Sequence, residues 1–151
     1  MAIKMKTSVT LKANAECPSH SLANVTVRDL TFAIDEPTER GGTNLGPTPT
    51  DTALGALIGC TNVIGNKCAH ALGVDIGHLE IDATCEFDRR GVTLQEEIEV
   101  PFKAVTLNVR SNGTADQAAL DQVAFETEKY CPLSKLFKAA GTDVAVNWSK
   151  L

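Results

Sequence analysis

The amino-acid sequence predicts an α+β fold, with antiparallel sheets wrapped around one long central helix. Three observations carry this reading. Polar and apolar residues alternate in four stretches, over 3–13, 22–35, 78–90 and 92–111, and a period of two marks half-buried strands. Between the second and third stretches the pattern becomes helical over 50–72, with apolar side chains around most of the first half. After the fourth come a helix over 114–130, a short helix over 131–140 and a last strand over 142–149. The chain has 151 residues, 43% of them hydrophobic, which suits a single domain with a core of its own.

Each element has a local cause. The stretch "IKMKTSVTLKA" is a half-exposed strand by its alternation, and "ECPSHS" turns the chain. Ala23, Val25 and Val27 alternate in "LANVTVRDLTFAID", which is its hairpin partner. Residues 36–49 are rich in Gly, Pro and Thr and form a loop; it is long for a compact domain, and long ordered loops often carry function. For the central helix, Thr48 or Thr50 can cap, Pro49 is tolerated in the first turn, and Asp51 suits the positive end of the dipole. Leu54, Leu57, Ile58, Val63, Ile64 and Leu72 follow, and Gly73 ends it. Such a helix is roughly 35 Å long. Gly55 and Gly59, four apart, allow another helix or a sheet to approach closely. One sheet of this size cannot cover an all-round apolar helix, so a homodimer supplying the other wall is expected.

Further on, Leu79, Ile81, Ala83, Cys85 and Phe87 share one strand face, which makes Cys85 a core residue. The next strand follows around Arg90 and Gly91. Thr114 can cap the later helix, Leu120, Val123 and Ala124 line it, Pro132 opens the short helix and Gly141 closes it.

Composition excludes several functions. Fourteen basic against 19 acidic residues give a net charge of −5, which argues against non-specific binding to nucleic acid or to an anionic membrane. The opening "MAIKMKTSVTLKAN" lacks the continuous apolar stretch of a signal peptide, and no run of 18 apolar residues exists. A soluble, cytoplasmic protein is expected. There is no Gly-rich phosphate loop after a strand, no G-x-S-x-G and no C-x-x-C, and Cys68, His70 and His78 do not compose a zinc site. No cofactor or metal is called for.

The chemistry-bearing residues are cysteines, of which there are five: Cys17, Cys60, Cys68, Cys85 and Cys131. In a reducing compartment such thiols are free, either packed or catalytic, rather than joined in structural disulfides. Cys131 stands before Pro132, at or next to a helix N-cap, where backbone N–H groups and the dipole favour thiolate and lower the pKa. The plainer reading is that Pro132 starts a helix and Cys131 happens to precede it. Cys60 lies inside the central helix, where desolvation raises a thiol pKa, so a nucleophilic Cys60 needs a cation brought to it. Arg40 is the only arginine in the loop before the helix, and its fork of donors can hold a thiolate and an oxygen-bearing substrate together. Arg28, on the second strand, is the fallback. Cys68 is eight residues beyond Cys60, about 12 Å along the helix and too far for a disulfide.

The segment "GPTPTDTALGALIGCTN", with "CPLSKLFKAAG" some way on, resembles the OsmC/Ohr family of thiol-dependent peroxidases over most of the chain. It looks closer to the broad OsmC-like branch than to the organic hydroperoxide resistance branch. The resemblance implies that Cys60 is the peroxidatic cysteine, oxidised by a hydroperoxide to a sulfenic acid, and that Cys131 resolves it as an intramolecular disulfide. It implies a dithiol reductant, such as a lipoyl-bearing protein, an intertwined homodimer, and a role in oxidative-stress defence. Arg40, twenty residues before Cys60, matches the family's catalytic arginine. The family's glutamate ten residues before the reactive cysteine is Thr50 here. Asp51 beside it would be the substitute, with a shorter side chain directed about 100° away. The alternative is a non-catalytic dimer of the same fold that binds a small apolar or thiol-bearing molecule, or serves as a redox-responsive partner protein.

Overall fold

A computed structural model describes residues 5–151. In chain order the elements are β1 (Asn14–Glu16), β2 (Ala23–Val27), β3 (Leu30–Ile34), a 3₁₀ turn (Thr38–Arg40), α1 (Pro49–Leu72), β4 (Leu79–Phe87), β5 (Phe102–Ser111), α2 (Gln117–Tyr130), α3 (Pro132–Ala139) and β6 (Asp143–Lys150). This is an α+β fold with three helices, one antiparallel sheet and one mixed sheet. The chain divides into two compact units, with the boundary after Thr52.

In the smaller unit β2 is the central strand, antiparallel to β1 (Ala15 opposite Val25) and to β3 (Val25 opposite Phe32). Two expectations are corrected here. The stretch 22–35 is a tight hairpin, not one strand: Arg28 adopts φ 58 and, with Asp29, makes the two-residue turn between Val27 and Leu30. Such turns need positive φ, and their twist matches that of the flanking strands. The expected strand 3–13 is also absent over the described residues 5–13, while residues 3 and 4 lie outside them. With β1 and β3 on its two edges, β2 leaves no edge for that stretch to pair with.

The loop after β3 is organised by Asp35, whose fully buried carboxylate accepts hydrogen bonds from Glu36 N (2.8 Å), Thr43 N (3.1 Å), Thr43 Oγ1 (2.5 Å) and Leu45 N (3.1 Å). Asp35 N donates to Pro47 O at 3.0 Å, closing the loop. Glycine is obligatory at Gly42 and Gly46, where a Cβ would lie 1.9 Å from Glu36 O and 2.2 Å from Ala33 O. The start of α1 is capped by Thr48. Its hydroxyl accepts from Asp51 N at 3.2 Å and donates to Asp51 Oδ2 at 2.7 Å.

In the larger unit the sheet order is β4–β5–β6. β4 is antiparallel to β5 (Ile81 opposite Val109), whereas β6 is parallel to β5 (Leu107 opposite Val146), not antiparallel as expected. The pair α2–α3 is the crossover that a parallel neighbour requires. The expected strand 92–111 is shortened to β5. Arg90 binds Asp88 Oδ2 and Glu96 Oε2, each at 2.7 Å, Leu94 takes φ 57, and Asp88 N donates to Pro101 O at 2.8 Å, so residues 88–101 close into a loop.

The core lies in two clusters. Cys68, Ala69, Ile76, Val109, Leu120, Val123 and Trp148 form the first. Leu57, Val105, Leu107, Cys131 and Phe137 form the second, with Cys60 and Cys85 packed at its margin. Full burial of a side chain such as Leu57 or Leu120 is worth about 1.5–3 kcal/mol, an upper value because unfolded chains are partly collapsed. At its C-terminal end α1 stops at Gly73, whose φ of 68 lets Gly73 N reach His70 O and Val74 N reach Ala69 O. Among the described residues no helix is long and apolar enough to cross a membrane.

Candidate active site

Cys60 lies in α1 and is half-buried. The helix therefore holds its thiol at the edge of the second cluster, less deeply than its mid-helix position suggested. Cys131 stands where α2 ends and α3 begins, with φ −72 and ψ 107, the extended conformation expected before proline. It serves both helices. Its N–H donates to Thr127 O at 2.9 Å, ending α2, and its sulfur accepts from Ser134 N at 3.4 Å, capping α3. It is 1% exposed.

These local constraints bring the two sulfurs together: Cys131 Sγ lies 3.3 Å from Cys60 Sγ and its thiol donates to it. A disulfide bond is about 2.05 Å long, so an approach of roughly 1.2 Å would join the pair. The helix N-terminus does not leave Cys131 acidic as expected. Burial pushes the thiol up, the neighbouring Cys60 adds to this, and the N–H groups of Ser134 and Leu133 pull the other way without prevailing. Desolvation outweighs one turn of helix dipole because the residue is almost wholly removed from water.

The other site candidates belong to the smaller unit, where Arg40, Asp51 and Thr50 have partners. Arg40 ends the 3₁₀ turn, is 60% exposed, and pairs through Nε with Glu36 Oε2 at 2.9 Å. Asp51 is occupied in the reciprocal cap with Thr48, and Thr50 Oγ1 lies 3.0 Å from Thr48 Oγ1. Arg28 is a hairpin-turn residue rather than a strand residue. All five cysteines are free thiols; Cys17 is exposed, Cys68 is in the first cluster, and burial raises the pKa of Cys85. Sequence reasoning did not single out Ser134 or Glu36. The spacing of Ser134, three residues after the capping Cys131, and of Glu36, four before Arg40, were the available signals.

Fold and site together define a two-cysteine α+β protein whose sulfurs are in contact. A family model described as OsmC-like protein matches residues 42–147. The chain belongs to the OsmC family. Many solved structures share the fold, among them the following three. The OsmC-like protein from Mycoplasma pneumoniae superposes with a TM-score of 0.80 at 15% identity, over 96% of this chain and 99% of that one. An organic hydroperoxide resistance protein OsmC from Legionella pneumophila gives 0.70 at 20% identity, over 95% and 99%. The organic hydroperoxide resistance protein OhrB of Bacillus subtilis gives 0.64 at 20% identity, over 93% and 98%. No curated protein matches the sequence.

Proposed function

We propose that the protein is a cysteine-based peroxidase that reduces organic hydroperoxides or hydrogen peroxide and serves in cytoplasmic oxidative-stress defence. One observation carries the reading: two thiols 71 residues apart in sequence stand 3.3 Å apart, one in an apolar cluster and the other at its margin. The Cys60 thiolate attacks an oxygen of the peroxide, the O–O bond breaks, and the alcohol or water leaves with a proton. Cys60 is then a sulfenic acid. The Cys131 sulfur bonds to the Cys60 sulfur, the S–O bond breaks and water leaves. Two electrons have passed from the cysteines to the peroxide. A dithiol reductant, such as a lipoyl-bearing protein, restores both thiols.

The sequence resemblance makes Arg40 the cation of this reading, with a fork of donors of the kind that holds a thiolate and a peroxide oxygen together. Glu36 pairs with its Nε at 2.9 Å, and Asp51 supports the start of α1. The working form is a homodimer. Support comes from α1, where Gly55 and Gly59 face open space and Val63 is exposed, an apolar surface that a second copy would cover.

The test is peroxide consumption under a dithiol reductant. Cys60→Ser is expected to reduce it to background. Cys131→Ser is expected to leave a trappable sulfenic acid at Cys60 that over-oxidises. Retained turnover in Cys60→Ser would overturn the reading. The binding-protein alternative is favoured by one feature, the engagement of Asp51 by Thr48 in place of an arginine-orienting glutamate. Under that alternative Thr50→Glu leaves the rate at background, whereas the peroxidase reading expects a rise.

A further inference from the structure

Beside Cys131 the larger unit holds a cavity of about 10 Å³, room for the centre of one water molecule. Its wall includes Thr61 of α1, Thr127 and Glu128 of α2, Cys131, Ser134 of α3 and Trp148 of β6. Two of these are polar groups without a partner. Ser134 Oγ and Trp148 Nε1 find no hydrogen-bond partner among the described residues, although the side chains are only 3% and 6% exposed. Buried polar atoms are almost always bonded, so an unpaired donor and an unpaired hydroxyl on two residues that line one small cavity point to a guest.

The two threonines fit the same guest. Thr61 Oγ1 donates to Leu57 O at 2.9 Å and Thr127 Oγ1 to Val123 O at 2.7 Å, so each hydroxyl hydrogen is used and each oxygen can still accept. An indole N–H can only donate. One water molecule has the donors and acceptors for the two unpaired groups, accepting from Trp148 Nε1 and donating to Ser134 Oγ. Glu128 is held at the surface by Lys138. The fold also makes room for the indole: a Cβ on Gly65 would lie 2.8 Å from Trp148 Cη2.

We propose that this cavity is a built site for one water molecule, held by Trp148 and Ser134, and that this water receives the Cys131 proton as the disulfide closes. The proposal rests on the peroxidase reading and deepens it. Cys131 needs such an acceptor because burial keeps it a thiol at neutral pH. As its sulfur lone pair bonds to the Cys60 sulfur, the S–H proton passes to the water. The sulfenic S–O bond breaks with its electron pair on the side of Cys60 away from Cys131, the departing hydroxide takes a proton from solvent, and the bound water returns its extra proton to solvent. The sum is thiol plus sulfenic acid giving disulfide plus one water, with the bound water restored.

The experiment is a rapid-quench single turnover of the reduced full-length protein with one equivalent of cumene hydroperoxide. Intact mass follows sulfenic acid and disulfide, in mixtures of light and heavy water. In the wild type, closure is expected to depend on deuterium fraction along a curve, the mark of more than one proton in motion. In Ser134→Ala and in Trp148→Phe, which keeps the ring and loses the N–H, the sulfenic acid is expected to accumulate, closure to slow roughly tenfold or more, and the curve to straighten. A straight dependence in the wild type, or wild-type closure rates in both variants, would overturn the relay and leave the peroxidase reading standing. Formation of neither sulfenic acid nor disulfide in the wild type would overturn that reading, and the relay with it. If a variant does not fold, as judged by its near-ultraviolet dichroism, the wild-type curve alone decides.

Discussion

The loop after β3 and the junction between α2 and α3 each carry a candidate reactive residue, Arg40 in one and Cys131 in the other, and they are held in opposite ways. A buried charge organises the loop: the Asp35 carboxylate gathers four donors, and the backbone at Gly42 and Gly46 passes too close to its neighbours for a side chain. At the junction, burial encloses an uncharged sulfur that caps one helix while its backbone ends another. The first arrangement requires an ionised group and the second requires a protonated one. A protein with both should fail at opposite ends of the pH scale, and in different places.

The largest effect that would sharpen this contrast is on rate. Arg40→Ala is expected to lower peroxide turnover on the order of a hundredfold, as for loss of a charged group that stabilises a transition state, while leaving disulfide closure at Cys131 intact. Equal loss of both steps in a rapid-quench series would break the assignment of separate roles.

The next effect is on stability with pH. Hydrogen bonds from Thr43, then from Leu45 and Glu36, hold the Asp35 carboxyl well below the usual carboxylate range. Its contribution is therefore present above about pH 4 and is lost as pH falls toward its folded pKa. Hydrogen exchange should show the Thr43 and Leu45 amides opening first in acid, and opening at neutral pH in Asp35→Ala. For Cys131 the sign reverses, since burial raises its pKa in the folded state. Stability is complete below about pH 8.5 and declines as pH rises toward the folded value. Thermal melts should show an alkaline decline that is smaller in Cys131→Ala than in the wild type; an unchanged slope would contradict the buried-thiol account.

The smallest effects compare glycines on α1. Gly65→Ala crowds Trp148 and should cost about 1–3 kcal/mol, less the gain in helix propensity. Gly59→Ala meets open space within the chain and should gain up to about 1 kcal/mol in a monomer. If a second copy covers that face, the same substitution should instead weaken association, which sedimentation at a series of concentrations would read.

What was legible in the sequence was local. The capping Thr48, the apolar run after it and Gly73 outline α1, and the Cys131-Pro132 pair marks a helix start, because caps and periodicity act within a few residues. The hairpin at Arg28-Asp29 was legible only in parity: apolar residues move from odd positions (Val25, Val27) to even ones (Leu30, Phe32), and alternation alone runs straight through. The loop before β5 hid for a different reason. Its residues alternate well enough for a strand, but Arg90 pairs with carboxylates on both sides and pulls the chain closed. The contact of the two sulfurs and the seat of Trp148 against Gly65 depend on side chains from distant elements meeting, which no local pattern encodes.

The central claim is that Cys60 and Cys131 form one redox pair. It is tested most directly by the intact mass and free-thiol count of the reduced protein before and after one equivalent of cumene hydroperoxide. The account predicts loss of two hydrogens, a crosslink between the Cys60 and Cys131 peptides, and Cys17, Cys68 and Cys85 still free. All five thiols free after an excess of oxidant would contradict it and leave the pair as packing.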